Sequence, residues 1–123
     1  MAYDLDPILA AAKPGDTIIL QPGLYYTGGS DGYPTPTGVF IPAGVKLIGA
    51  GKYKTVIKFK RTDLLDRQWL ALYGKGDGII IQDVSVDCGP IPANWTHKIC
   101  GIVIDGDSAS VLRCDVVRAF GWI

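Results

Sequence analysis

Between Ala11 and Ile57 the chain is a series of short β-branched runs broken by Pro-Gly and Gly turns, and no helical pattern follows the first dozen residues. AAKPGDTIILQPGLYY leads into a Gly-rich stretch and then into GVFIPAGVKLIGAGKYKTVI. A chain punctuated this often has no room for long helices. Its strands are also too short to bury their apolar sides without neighbours stacked above and below. Strands are expected at 17–20, 39–41, 45–48, 55–59, 69–73, 78–86, 101–105 and 109–117. Glycine marks most of the boundaries, as suits corners that need positive φ. The stretches 25–37, 60–68 and 89–99 read as loops projecting from corners.

Apolar positions fall into vertical files. Leu47, Ile81 and Val111 recur at nearly even intervals, and Val45, Ile79 and Ala109 align just ahead of them. Val84 then matches Cys114 and Val86 matches Val116. A further file pairs Leu70 with Ile102 and Leu72 with Ile104. Parallel strands about 4.8 Å apart would put such equivalents in contact. An antiparallel sandwich or barrel also has short strands and Gly turns. The files, however, recur at about 30 residues rather than at hairpin spacing, and no Asn-Gly or Asp-Gly joins two consecutive alternating runs. Ahead of the strands, Asp6-Pro7 reads as the start of a helix over 7–13, with Ile8, Ala11 and Ala12 on one face and Pro14-Gly15 as its stop. Such a helix suits the cover of a first coil.

Size and charge narrow the rest. The 123 residues make one domain, and 48% hydrophobic content is that of a globular protein. Twelve basic and twelve acidic residues cancel without forming a basic stripe, so nucleic acid is not an expected partner. No apolar run approaches the roughly 20 residues of a membrane span, so no membrane partner is expected, and no charged-then-apolar leader opens the chain. Cys88 and Cys100 bracket GPIPANWTHKI and would close it as a disulfide in an oxidising compartment; three reduced, half-buried thiols are the simpler expectation. Asn94-Trp95-Thr96 fits a glycosylation sequon, a triplet frequent by chance.

AAKPGDTIILQPGLYY, GVKLIGAGKYKTVI, GIIIQDVSVD and SVLRCDVVRAFGW together resemble the right-handed parallel β-helix proteins of the pectin-lyase-like superfamily. The resemblance implies an all-β fold: a short right-handed parallel β-helix of about three to four coils. Residues 1–15 would be the capping helix and lead-in, and 16–123 the coils of a single domain. It also implies a polysaccharide partner and an extracellular or virion-associated location. Family members have more coils, so the chain is expected to be truncated at its C-terminal end. A homo-oligomer through the open last coil is the expected way to cover that end. The superfamily spans lyases, hydrolases, epimerases, esterases and phage tailspikes, so fold alone does not choose among them.

Carboxylates are the first candidates for chemistry. Asp83, Asp87, Asp105, Asp107 and Asp115 fall in the last two coils. Outward carboxylates on adjacent coils can divide the acid and base roles of glycoside hydrolysis, or ligate Ca²⁺ as a cofactor. Against this, Asp105-Gly106-Asp107 is an ordinary turn, and Asp83 falls below Arg113 as an expected ion pair. Arginine is the usual base in pectate-lyase-like enzymes, but Arg61, Arg67, Arg113 and Arg118 match no catalytic signature, and Arg118 reads as a solvated side chain. Trp95 is the leading candidate for stacking on a sugar ring, with Tyr73 and His97 as further substrate-binding candidates. A lone histidine forms no metal site by itself. GAGKYKT lacks the phosphate-loop spacing and reads as a corner.

Overall fold

The computed structural model describes residues 2–31, 37–60, 69–89 and 99–119. Strand β1 (Ala2–Asp4) and helix α1 (Leu5–Ala10) open the chain, followed by β2 (Thr17–Ile19), β3 (Gly23–Thr27), β4 (Ser30–Asp31) and β5 (Thr37–Gly38). Next come β6 (Ile41–Pro42), β7 (Lys46–Ile48), β8 (Thr55–Phe59) and β9 (Trp69–Lys75). The chain then adds β10 (Ile80–Gln82), β11 (Ser85–Asp87), β12 (Ile99–Asp105), β13 (Ser110–Leu112) and β14 (Asp115–Val117). The protein is therefore mostly β, as expected.

Three sheets hold these strands. Sheet A runs β1-β3-β8-β11-β14, sheet B runs β13-β10-β7-β2, and sheet C runs β12-β9-β4-β5 with β6 also on β9. From β7 onward the chain visits them in the order B, A, C twice over and then returns to B and A. All pairs in sheets A and B are parallel. Sheet C mixes the parallel pairs β12–β9 and β6–β9 with antiparallel pairs of β4 to β5 and β9.

Like stands on like inside. In sheet B, Ile18, Leu47, Ile81 and Val111 are in register; in sheet A, Tyr3, Tyr25, Ile57, Val86 and Val116 are. Leu47, Ile81, Ile57 and Val86 are fully buried, and side chains from all three sheets form one core. Each such residue contributes roughly 1.5–3 kcal/mol by leaving water. The file through Leu47, Ile81 and Val111 matches the sequence expectation. The file in sheet C does not. Leu70 is paired with Cys100 rather than Ile102, and Leu72 with Ile102 rather than Ile104. The step along the chain that makes these pairs also joins Ile80 to Ser110 and Ser85 to Asp115, so one period governs all three sheets here. A shift of two residues keeps every side chain on its face, which is why the apolar pattern alone could not detect it.

Three other expectations are corrected. The helix begins at Leu5, not Pro7, because the Asp4 carboxylate caps it by accepting the Asp6 N–H at 3.2 Å. Its buried face is Leu5 and Leu9. Asp6 serves elsewhere: it accepts from Thr27 Oγ1 at 2.7 Å and from the Gly28 N–H at 2.9 Å, tying the helix to the end of β3. Residues 25–37 are not simply a loop, since Tyr25 lies mid-strand in β3, buried on Ile57 and stacked on Tyr3 at 4.8 Å. The spans 78–86 and 109–117 each split into two strands at a left-handed residue, Asp83 (φ 60°) and Arg113 (φ 50°). A non-glycine residue held there costs on the order of 1 kcal/mol or more, so the surrounding hydrogen bonds must impose it. The Asp83 N–H on Leu112 O at 3.0 Å and the Gly51 N–H on Asp83 O at 2.9 Å clamp that corner from both sides.

Glycine between strands serves space as well as φ. A Cβ on Gly101 would meet Val116 Cγ2 at 3.0 Å, so β12 approaches β14 only because that position is bare.

If the buried files carry the stability, Ile81→Ala is expected to cost about 2–5 kcal/mol and Ile19→Ala less than about 0.5 kcal/mol in urea unfolding. Ile19 is 65% exposed on the edge strand β2. Equal costs at the two positions would overturn the stacking account.

Candidate functional site

The register that stacks the core also builds the outer face of sheet A. Between the inward residues of β1, β3, β8 and β11, the outward file runs Asp4, Tyr26, Lys58, Asp87. At the end of this file lies a groove of about 500 Å³ lined by Tyr3, Asp4, Tyr26, Lys58, Lys60 and Gly89, among others. Its volume is within the range of small-ligand sites. Two tyrosines, two lysines and the Asp4 carboxylate are thus brought to one groove.

Electrostatics fix these side chains. Lys60 Nζ lies 3.0 Å from both Asp4 Oδ1 and Asp6 Oδ2. The hydrogen bond to Asp4, followed by that to Asp6, raises the Lys60 pKa. Burial pushes the Asp6 carboxyl up, but donors from Gly28, Thr27 and Lys60 outweigh it and hold it below its ordinary value. Asp87 accepts both nitrogens of a fork from Arg118, at 2.7 and 2.6 Å, and the Gly89 N–H at 3.1 Å. Lys58 Nζ stands 3.8 Å away. The Arg118 hydrogen bonds hold the Asp87 carboxyl below its ordinary value. Arg118 is thus a paired side chain and not simply a solvated one, which corrects the sequence reading.

The five candidate acids are spread over different places, with Asp115 at the start of β14. Asp83 sits between β10 and β11, where Arg113 grips it at 2.7 and 3.0 Å; this is the expected stacked pair. The Arg113 hydrogen bonds lower its pKa. Asp105 ends β12, and Asp107 lies in the following turn with its N–H on Asp77 Oδ1 at 2.7 Å. Both are exposed. Asp87 alone borders the groove, through Lys58 and Gly89. A glycosidase acid needs a raised pKa, and Asp83 and Asp87 are both lowered.

Tyr73 is corrected as a sugar-stacking candidate: it is mid-strand in β9 and 5% exposed. Trp95 and His97 lie outside the described residues, as does Asn94. Sequence reasoning missed Tyr3, Asp4, Lys58 and Lys60. The alternation Lys58-Phe59-Lys60 in a strand was the available signal, but only the register brings it to Tyr26 and Asp4.

None of Cys88, Cys100 and Cys114 is in a disulfide in the structure, and burial pushes the Cys88 thiol up to about 12. Among the described residues no three or more His, Cys, Asp or Glu side chains group as metal ligands, so no Ca²⁺ site is assigned. No described helix is long and apolar enough to cross a membrane.

Two outcomes follow. Asp83 and Asp87 have folded pKa values below their unfolded ones, so their stabilising effect is present above the unfolded value and is lost as pH falls through the folded ones. The urea midpoint is expected to fall below about pH 4, and less steeply in Asp87→Asn; an unchanged slope in that variant would refute the role of Asp87. Native protein at pH 8 is expected to leave Cys88 unalkylated by iodoacetamide while the unfolded chain reacts, read by peptide mass mapping. Rapid native labelling of Cys88 would contradict its burial.

Comparison with known protein families, curated proteins and solved structures gives no match. The functional reading therefore rests on this geometry.

Proposed function

We propose that the chain forms coils of a right-handed parallel β-helix of the pectin-lyase-like kind, and that the groove on sheet A binds a polysaccharide strand. The observation that carries this reading is the outward file Asp4, Tyr26, Lys58, Asp87 beside the 500 Å³ groove. Sugar rings offer apolar C–H faces to flat rings and hydroxyls to charged groups. Tyr3 and Tyr26 supply the first kind of contact, and Asp4 with Lys60 the second. Uronate carboxylates would find cations in Lys58 and Lys60. Chain-like substrates suit a face whose side chains repeat at strand spacing, since successive sugars can meet successive strands.

The groove favours binding over turnover. Asp6 and Asp87 are held ionised by cationic and N–H donors, and neither is poised to give up a proton at neutral pH. The parts of a polysaccharide lyase or hydrolase that act chemically would then lie outside these residues. A purely structural role, as in a tailspike segment, is the second reading. It is favoured by the apolar residues exposed on β13 and β14.

Titration with oligogalacturonate, oligoalginate and a neutral glucan, followed by amide shifts, separates the readings. Binding by at least one glycan is expected, with shifts centred on Tyr26, Lys58 and Lys60. Tyr26→Ala and Lys58→Ala are each expected to weaken it about tenfold, equivalent to about 1.4 kcal/mol. No shift with any glycan would remove the binding role. New reducing ends or unsaturated products would show that turnover had been wrongly assigned elsewhere.

A further inference from the structure

The corners that lead from sheet B to sheet A are unequal. Asp83 and Val84 alone carry the chain from β10 to β11, and Arg113 and Cys114 from β13 to β14. Between β7 and β8 the chain instead takes Gly49 to Lys54. A single left-handed residue, Asp83 or Arg113, is enough to turn the later coils, so the turn itself does not need the longer corner. That corner folds over the outer face of sheet A, where the Tyr53 N–H donates to Ser85 Oγ at 2.8 Å. Ser85 is only 5% exposed although it belongs to the outward row Val56, Ser85, Asp115.

Tyr53 itself stays open. Its side chain is 74% exposed, the most of any large hydrophobic residue among the described residues. Its φ is 66°, a region that a bulky residue enters only under constraint. The constraint is a set of backbone bonds. Besides the bond to Ser85, the Lys54 and Thr55 N–H groups both donate to Gly51 O at 3.1 Å, and the Gly51 N–H donates to Asp83 O at 2.9 Å. At its far end the phenol is hydrogen-bonded to the Asp115 carboxylate. A ring tethered at both ends and still in water is presented rather than packed. It has little freedom left to lose on meeting a ligand. Backbone strain kept without burying the side chain points to a function.

The groove of Tyr26 and Lys58 lies on this same outer face. Ser85, which pins Tyr53, is two strands from Tyr26 and two residues back along them, a separation of about 12 Å at ordinary strand spacings. That is the span of a few sugar units, and outward Lys58 stands beside the path.

We propose that Tyr53 is a second sugar-stacking subsite, and that corner and groove together hold one glycan strand running diagonally across sheet A. The inference rests on the glycan reading of the groove. The apolar C–H face of a sugar ring seats on the Tyr53 ring. Lys52 and Lys54, both exposed, offer donors to its hydroxyls. An oligosaccharide too short to reach from Tyr26 to Tyr53 gains nothing from the corner.

Calorimetric titration with a length series of the glycan that binds the groove tests this, from disaccharide to octasaccharide. Affinity is expected to rise about tenfold once the chain reaches both rings. Tyr53→Ala is expected to abolish that rise and to leave the short oligosaccharides unaffected, whereas Tyr26→Ala weakens every length. Tyr53→Phe retains the ring and is expected to retain the rise. The far-ultraviolet spectrum of Tyr53→Ala is expected to be unchanged, because its N–H to Ser85 remains. In the native protein the Tyr53 ring protons are expected to shift with long oligosaccharides only. Affinity independent of length, or a rise that survives Tyr53→Ala, would overturn the subsite and leave the groove reading in place. A loss in Tyr53→Phe as large as in Tyr53→Ala would overturn ring stacking. Absence of binding at every length would remove the groove reading and the subsite together.

Discussion

Backbone hydrogen bonds between parallel strands set the register on which everything else in this protein depends. Once Ile81 is locked over Leu47 and under Val111, every neighbouring residue of β7, β10 and β13 has its level and its face assigned. The same holds in sheet A for Tyr25, Ile57 and Val86. No single strand of this length would be stable alone. Stability arises because each inner strand meets two others, and because inward side chains touch counterparts of similar shape.

The outer face is the other consequence of that register. Alternation sends Tyr26, Lys58 and Asp87 outward at the positions next to Tyr25, Ile57 and Val86. Unlike charges then meet across strands, as Lys58 does with Asp87 and Arg113 with Asp83. These exposed pairs are weak individually. Their greater effect is to hold side chains in place: Lys60 is fixed between Asp4 and Asp6, and Asp87 between Arg118 and the Gly89 N–H. A groove lined by immobilised charges and rings can select a ligand without the entropic cost of ordering them.

The ends of the molecule follow from the same rule applied where it stops. At the first end, α1 substitutes for a missing layer, and Asp6 fastens it through Thr27 and Gly28. At the other, Val111 and Val116 keep the inward pattern although no described residue stands beyond them in the file. Among the described residues, α1 thus packs on the core at one end, while β13 and β14 carry exposed apolar side chains at the other.

Much of this was legible in the residues. Apolar spacing and glycine corners specified stacked β-strands, and the file of Leu47, Ile81 and Val111 was readable because β-branched and leucine side chains recur where one buried face demands them. Charge order gave the pair of Asp83 and Arg113. The start of α1 was misplaced because Asp4 and Asp6 are equally good caps in isolation, and only the approach of Thr27 and Gly28 decides which carboxylate is free to cap. Strand β3 was hidden because its neighbours Gly28 and Gly29 read as a loop. The register of sheet C and the groove were decided by tertiary structure alone. Faces repeat with every second residue, so a sequence fixes which way a side chain points but not which residue of another strand lies beside it; backbone pairing between strands far apart in the chain makes that choice.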